Sequence, residues 1–282
     1  MPTFSTPGPI TATIELALGD VRLIAGDRAD TVVDVRPSDA DNADDRRAAE
    51  ATVVEYANGK LLVKAPRSIW RYLPMRDGGS VDVTVELPEH SHVHADAAAA
   101  AFRVDGPLGT SKFKTGAGGV RLDSTAELNV ATAIGAVTVG SVRGSAHVTS
   151  GSGEVHLEEV AGDAVLKNAN GDCVIGAVTG SLRCNTANGK IVIGRAGGDV
   201  TAKTANGAIS VDRLTRGTVS LGTAFGDIEM GIAAGTAALL DVNTKLGRLR
   251  NELDTAPAPD PSDDKVEVRA RTAMGDIIIR RS

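Results

Sequence analysis

The chain has 282 residues, with 30 Lys or Arg against 36 Asp or Glu, so its formal net charge at pH 7 is −6. This mildly acidic balance argues against a nucleic-acid partner, which requires a basic stripe. No apolar run reaches the ~18 residues of a membrane-spanning helix, so we expect no integral membrane contact. Residues 1–8 lack the basic and apolar regions of a secretory signal, which predicts a cytoplasmic protein.

Residues 1–97 are predicted to form an N-terminal irregular β region that is continuous with the rest of the chain. Segment 81–87 alternates apolar and polar residues, as a half-buried strand requires. Segment 41–51 is acidic and rich in alanine, and it predicts one short helix whose N-cap is Ser38 or Asp39.

A hairpin is predicted at Asn58-Gly59, since this dipeptide between two apolar runs favours a two-residue turn. The same segment, 57–63, also copies the later stretch 187–193 almost residue for residue. Both interpretations predict a strand, a turn and a second strand within the same sheet system.

Two segments interrupt the pattern. Segment 66–79 contains Trp70, Arg71 and Tyr72, a composition enriched where proteins bind partners. It can equally cover one end of the fold, because an open sheet edge invites pairing with another chain. Segment 251–264 is rich in Pro and Asp and predicts a solvated loop excursion.

Three of the five histidines, His90, His92 and His94, alternate along one predicted strand. Side chains two residues apart share a face, so the row is a weak candidate for a zinc or nickel site. Such positions are nearly 7 Å apart along a strand, too far to converge on one ion without a bend. We therefore predict surface histidines, with no metal and no cofactor.

From residue 98 to 282 the chain predicts repeated coils. A glycine recurs at positions 118, 135, 153, 171, 189, 207, 226, 247 and 275. Self-similarity at a fixed period of about 18 residues is typical of a solenoid, in which each unit buries its apolar face only by stacking on its neighbours. The predicted fold class is all-β, a right-handed parallel β-solenoid.

Stacking in register predicts ladders, because coils lie about 4.8 Å apart and equivalent residues then touch. Each asparagine in the repeated Ala-Asn-Gly motif can donate to the next, and each following glycine marks a corner with positive φ. The members are Asn170, Asn188, Asn206, Gly171, Gly189 and Gly207. We predict a structural role for them, with a ligand site as the alternative.

Cys173 and Cys184 fall at inward positions on opposite halves of a coil. Two buried free thiols are predicted, and a disulfide across the core is the alternative. Aspartates after corner glycines, such as Asp172 and Asp227, predict turn caps, since the position varies too much for a calcium ladder.

The outward row of the repeats is apolar in its middle, at Val174 and Val192, and it contains no pair of carboxylates. No nucleophile elbow, phosphate loop or Cys-His pair is present elsewhere. The sequence therefore predicts that the protein is not an enzyme, and it makes the two valines candidates for a partner surface.

Several segments carry a resemblance to a known family: the Ala-Asn-Gly units at 169–175, 187–193 and 205–211, the opening 13–21 and the closing 271–277. They resemble the bacterial β-strand-repeat proteins of unknown function labelled "putative adhesins", particularly the Streptomyces type. The resemblance implies a right-handed β-solenoid without an established activity, and it supplies no catalytic residue.

The sequence favours a non-enzymatic scaffold or protein-interaction module with a protein partner. One alternative is an adhesin-like binding protein at the cell surface or envelope. Another is a carbohydrate-active β-helix enzyme, although such enzymes line a cleft with carboxylates and aromatic residues.

Overall fold

The computed structural model describes residues 1–66, 79–253 and 264–282. The chain divides into two compact units, 1–140 and 141–282. Trp70, Arg71 and Tyr72 lie outside the described residues, as does most of the predicted excursion 251–264.

In the first unit, alternating apolar residues form strands that bury one face. These strands are β1 (Thr3–Ser5), β2 (Thr11–Gly26), β3 (Asp30–Pro37), β4 (Val53–Ala57), β5 (Lys60–Lys64), β6 (Val81–Pro88), β7 (His92–Ala117), β8 (Val120–Ile134) and β9 (Val137–Val142), which begins in this unit. Along one edge β2 pairs in parallel with β7, and along its other edge with β5 and then β6. β7 continues the parallel ladder to β8.

The outer edge of the first unit is antiparallel: β3 pairs with β6, and β1 pairs with β3. The helix α1 (Ala43–Glu50) packs against β3 and β6. The predicted helix is present, but its predicted caps are wrong. Asn42 is the N-cap, because its side chain accepts from the N–H groups of Asp44 and Asp45. The carboxylate of Asp39 instead accepts from the N–H of Asp41 at 2.9 Å, in the turn before the helix.

The predicted hairpin is confirmed. β4 and β5 pair antiparallel around Asn58 and Gly59, whose φ angles of 51° and 74° belong to a turn with both central residues left-handed. β5 also pairs in parallel with β2, so both interpretations of this segment are correct.

The second unit consists of short strands in two parallel stacks. The first stack contains β10 (Ala146–Ser152), β12 (Ala164–Asn170), β14 (Leu182–Asn188), β16 (Val200–Asn206), β18 (Gly217–Phe225), β20 (Ala237–Leu246) and β22 (Lys265–Met274). The second contains β11 (Val155–Val160), β13 (Cys173–Val178), β15 (Ile191–Ala196), β17 (Ile209–Leu214), β19 (Ile228–Ile232), β21 (Leu249–Asn251) and β23 (Ile277–Arg281). From β10 to β17, paired residues are 18 apart, as Ala164 and Leu182 are.

The core of the second unit is the narrow aliphatic interior that period-two alternation predicts. Its inward columns are at most 2% exposed and include Leu157, Ile175, Ile193, Val211, Met230 and Ile279, with Leu166, Cys184, Ala202, Leu221 and Ala270 opposite. The predicted all-β parallel solenoid is therefore confirmed. The predicted boundary after residue 97 stays a prediction.

Spatial order departs from chain order at the C-terminal end. β22 pairs with β18 on one side and β20 on the other, and β23 lies in the same way between β19 and β21. Val268 and Ala270 of β22 are fully buried, as a sandwiched strand requires. The coil formed by β20 and β21 thus lies at the edge, although β22 and β23 follow it in sequence.

Candidate interaction surfaces

The asparagine ladder consists of direct amide bonds between successive coils. Asn188 Nδ2 donates to Asn170 Oδ1 at 2.9 Å, and Asn206 Nδ2 donates to Asn188 Oδ1 at 2.8 Å. The three side chains are exposed, and the central amide, that of Asn188, forms hydrogen bonds on both sides. Their hydrogen bonds run from coil to coil, an arrangement that holds the corners in register.

Threonines near the same corner bond to the backbone rather than to one another. The hydroxyls of Thr204, Thr223 and Thr272 donate to the carbonyl oxygens of corner glycines one coil earlier, at 3.0–3.2 Å. Aspartates at the corners also bond to the backbone of an adjacent coil: Asp172 Oδ1 accepts from the Lys190 N–H at 2.8 Å. These polar groups satisfy the backbone at each turn.

Cys173 and Cys184 are free thiols and are fully buried. The hydrogen bond with Cys173, together with burial, raises the pKa of the Cys184 thiol. The same hydrogen bond lowers the pKa of the Cys173 thiol. Both side chains lie inside the apolar core, where thiols pack as small hydrophobes.

The three candidate histidines do not converge. His90 lies in the turn before β7 with a φ of 62°, so it is not part of the predicted strand row. His92 and His94 lie on β7, and His92 Nδ1 accepts from the Thr110 N–H at 3.0 Å. No group of three or more His, Cys, Asp or Glu residues in the described parts of the chain is placed to hold a metal ion.

Val174 and Val192 lie side by side on the outer face of β13 and β15, each partly exposed. The next outward positions along these strands are Gly176 and Gly194. The result is a small apolar strip on this face.

A second surface, in the first unit, was not identified from the sequence. Arg22, Arg103 and Arg121 are directly paired on β2, β7 and β8, so their side chains project from one outer face in a row. We call this set the arginine row. Adjacent strands lie about 4.8 Å apart, and like charges directly opposite one another are destabilising.

Only one member of the arginine row has a charged partner among the described residues. Arg22 forms an ion pair with Asp105 at 2.8 Å. Arg103 and Arg121 are exposed, and within the described chain their guanidinium groups make no hydrogen bond or ion pair. The Asp123 carboxylate nearby accepts from the Gly106 N–H at 3.1 Å.

The arginine row lies along an open groove of about 390 Å³. Asp20, Asp82, Thr84 and Thr138 also line it, so the groove presents both signs of charge. The sequence signal was weak: each arginine stands between two inward apolar residues, and only Arg103 and Arg121 share the 18-residue spacing. Placing Arg22 beside them requires knowledge that β2 pairs with β7.

None of the described residues forms a helix that is long and apolar enough to cross a membrane. Comparison with known proteins gave one family match, in which the model described as Toastrack DUF4097 matches residues 13–280. No curated protein matches the chain.

The solved structures that the comparison found similar share little sequence with the chain. One is described as a "putative lipid binding protein" from Parabacteroides distasonis, with 14% identity, a TM-score of 0.41, and coverage of 100% of this chain and 95% of that one. Another is described as a "putative adhesin" from Parabacteroides merdae, with 9% identity, a TM-score of 0.38 and the same coverage. A third, a "putative adhesin" from Bacteroides fragilis, has 12% identity and a TM-score of 0.32, with 99% of this chain and 95% of that one covered.

Proposed function

The chain belongs to the Toastrack DUF4097 family, and we propose that it is a cytoplasmic, non-enzymatic scaffold that recognises a protein partner through the arginine row of its first unit. The stacked coils supply a rigid outer face, and side chains on such a face keep fixed spacings.

The observation that carries the proposal is the pair Arg103 and Arg121. Two exposed guanidinium groups lie in register on neighbouring strands, in a groove, without an acceptor among the described residues. A planar guanidinium binds a carboxylate through two parallel hydrogen bonds. The partner should therefore present closely spaced Asp or Glu side chains.

The residues that line the groove favour a protein as the partner over a nucleic acid or a carbohydrate. Asp20 and Asp82 would repel the continuous negative charge of a nucleic acid, which matches the net charge of −6. Phe102, the one aromatic residue of the lining, is 2% exposed and offers no face for a sugar ring to stack on. A protein surface carries both signs of charge and matches a groove that does the same.

Charge reversal tests the proposal. The Arg103→Glu, Arg121→Glu double variant should bind a fluorescent Asp/Glu-rich peptide at least about tenfold more weakly than the wild type, because each charge-assisted bond is worth about 1.5–3 kcal/mol. Fluorescence anisotropy at low and moderate salt measures the affinity, and circular dichroism verifies the fold.

The matched control is the Arg195→Glu, Arg213→Glu variant, since these two exposed arginines are also directly paired on an outer face but do not line the groove of the arginine row. Its affinity for the peptide should equal that of the wild type, and an equal loss would refute a specific site. Stronger binding to an acidic polysaccharide than to the peptide would favour the adhesin-like alternative. Val174, Val192 and the segment with Trp70, Arg71 and Tyr72 stay predictions as partner surfaces.

A further inference from the structure

The edge coil of the second unit has an open side. β20 pairs with β22 along one edge, and no described residue pairs with its other edge. The Ala237 N–H donates to the Asp264 carbonyl oxygen at 2.9 Å, toward β22. Because backbone groups alternate along a strand, those of Leu240, Val242 and Thr244 point away from β22. They form a row of donors and acceptors that can pair with another strand.

Apolar side chains are concentrated at this edge. Leu239 and Leu249 are 69% and 50% exposed. The corner column that holds asparagines in earlier coils becomes apolar here, with Phe225, Met274 and Leu246 in register and 53%, 47% and 62% exposed. Polar corners thus give way to a contiguous apolar ridge that ends at the open strand.

The charges on β20 are arranged symmetrically. Asp241 and Lys245 both project outward and lie two residues on either side of Asn243. If two copies of β20 pair antiparallel with Asn243 at the centre, Asp241 of each lies opposite Lys245 of the other. Leu240 then lies opposite Leu246. A two-fold interface requires such self-complementarity, since the same patch is used twice.

We propose that β20 is a self-association edge, through which two copies of this chain pair antiparallel about Asn243. The register is consistent with the backbone, because Val242 and Thr244 would then exchange hydrogen bonds through groups that already point outward. The ion pair between Asp241 and Arg271, at 3.0 Å and more than half exposed, leaves the other oxygen of the carboxylate open to Lys245 of the second copy. This proposal does not depend on the arginine row.

Complementary charge variants test the register. Asp241→Lys places lysine opposite lysine in a homodimer, and Lys245→Asp places aspartate opposite aspartate. Each variant alone should dissociate about tenfold more readily than the wild type in sedimentation equilibrium, because like charges face each other twice. An equimolar mixture should recover wild-type dimerisation, since every facing pair is then Lys with Asp.

A backbone variant tests the strand pairing independently of charge. Val242→Pro removes an N–H that points away from β22, so the chain keeps its own ladder while the pairing between copies loses bonds. It should be monomeric, with an unchanged circular dichroism spectrum. The charge control is Lys190→Asp, far from β20 in sequence, which should dimerise normally. A wild-type chain that stays monomeric up to high micromolar concentration, or a mixture that does not recover dimers, would overturn the proposal.

Discussion

The corners of the solenoid require glycine for two different physical reasons. Gly189 has a φ of 146°, and a Cβ there would lie 2.2 Å from the carbonyl oxygen of Gly171. A second glycine column occupies positions 144, 162, 180, 198 and 217, and in it only Gly217 has a positive φ. A Cβ on Gly198 would nevertheless lie 2.7 Å from the carbonyl oxygen of Gly180. The recurrence of glycine in the sequence predicts where the corners lie. It does not tell whether a given corner requires glycine for a positive φ or for a close approach between coils.

Gly189→Val should lower the free energy of unfolding by roughly 3 kcal/mol or more, since a left-handed φ and a backbone clash act together. Chemical denaturation followed by circular dichroism measures the change. Gly222→Val is the matched control, because a Cβ at Gly222 meets only Lys203 Cγ, at 3.8 Å. Equal stability of the two variants would show that the Gly189 corner is not strained.

At the scale of elements, local patterns predicted type and position well, and they failed where partners come from elsewhere in the chain. The hairpin at Asn58-Gly59 was predictable because the turn is encoded by two adjacent residues. The helix was predictable from composition, but its cap was not: Ser38, Asp39 and Asn42 are all good caps, and tertiary contacts decide among them. Ser38 bonds to Asp82 on β6 and to Ser80 just before that strand, which leaves Asn42 as the cap.

Asn188→Ala should lower the free energy of unfolding by about 1 kcal/mol, since it removes two amide bonds between coils at an exposed position. Asn185→Ala is the control, because that side chain is on the same strand and makes no hydrogen bond within the described residues. Thermal melts of both variants give the comparison. A loss confined to Asn185→Ala would contradict a stabilising ladder.

At the scale of the whole molecule, the period of the repeat predicts parallel coils but not every neighbour. Regular spacing predicts the inward columns from β10 to β17, because each residue there lies over the one 18 positions earlier. The arginine row and the insertion of β22 between β18 and β20 depend on pairings between segments that share no fixed spacing. Such pairings are decided by burial, which a single sequence reports only indirectly.

The buried cysteines should report on the integrity of the second unit. We expect neither thiol to react with Ellman's reagent in the native protein, because both are fully buried and the reagent cannot reach them. The raised pKa of Cys184 also keeps that thiol protonated. Both should react in guanidinium. A Ser210→Cys variant has an additional thiol on the outer face of β17. It should release one equivalent of thionitrobenzoate from the reagent without denaturant. Rapid release of thionitrobenzoate by the native wild-type protein would instead indicate that the coils open locally and expose the buried cysteines.

Pairing at intervals of 18 residues has a consequence for how this part of the chain can change in length. Ala146, Ala164, Leu182 and Val200 occupy equivalent positions in successive coils. A whole coil can therefore be added or removed while the backbone hydrogen bonds of the remaining coils are kept. Growth by duplication therefore proceeds in steps of about 4.8 Å along the axis. The length of the second unit is therefore set by the number of tandem 18-residue copies that its gene encodes.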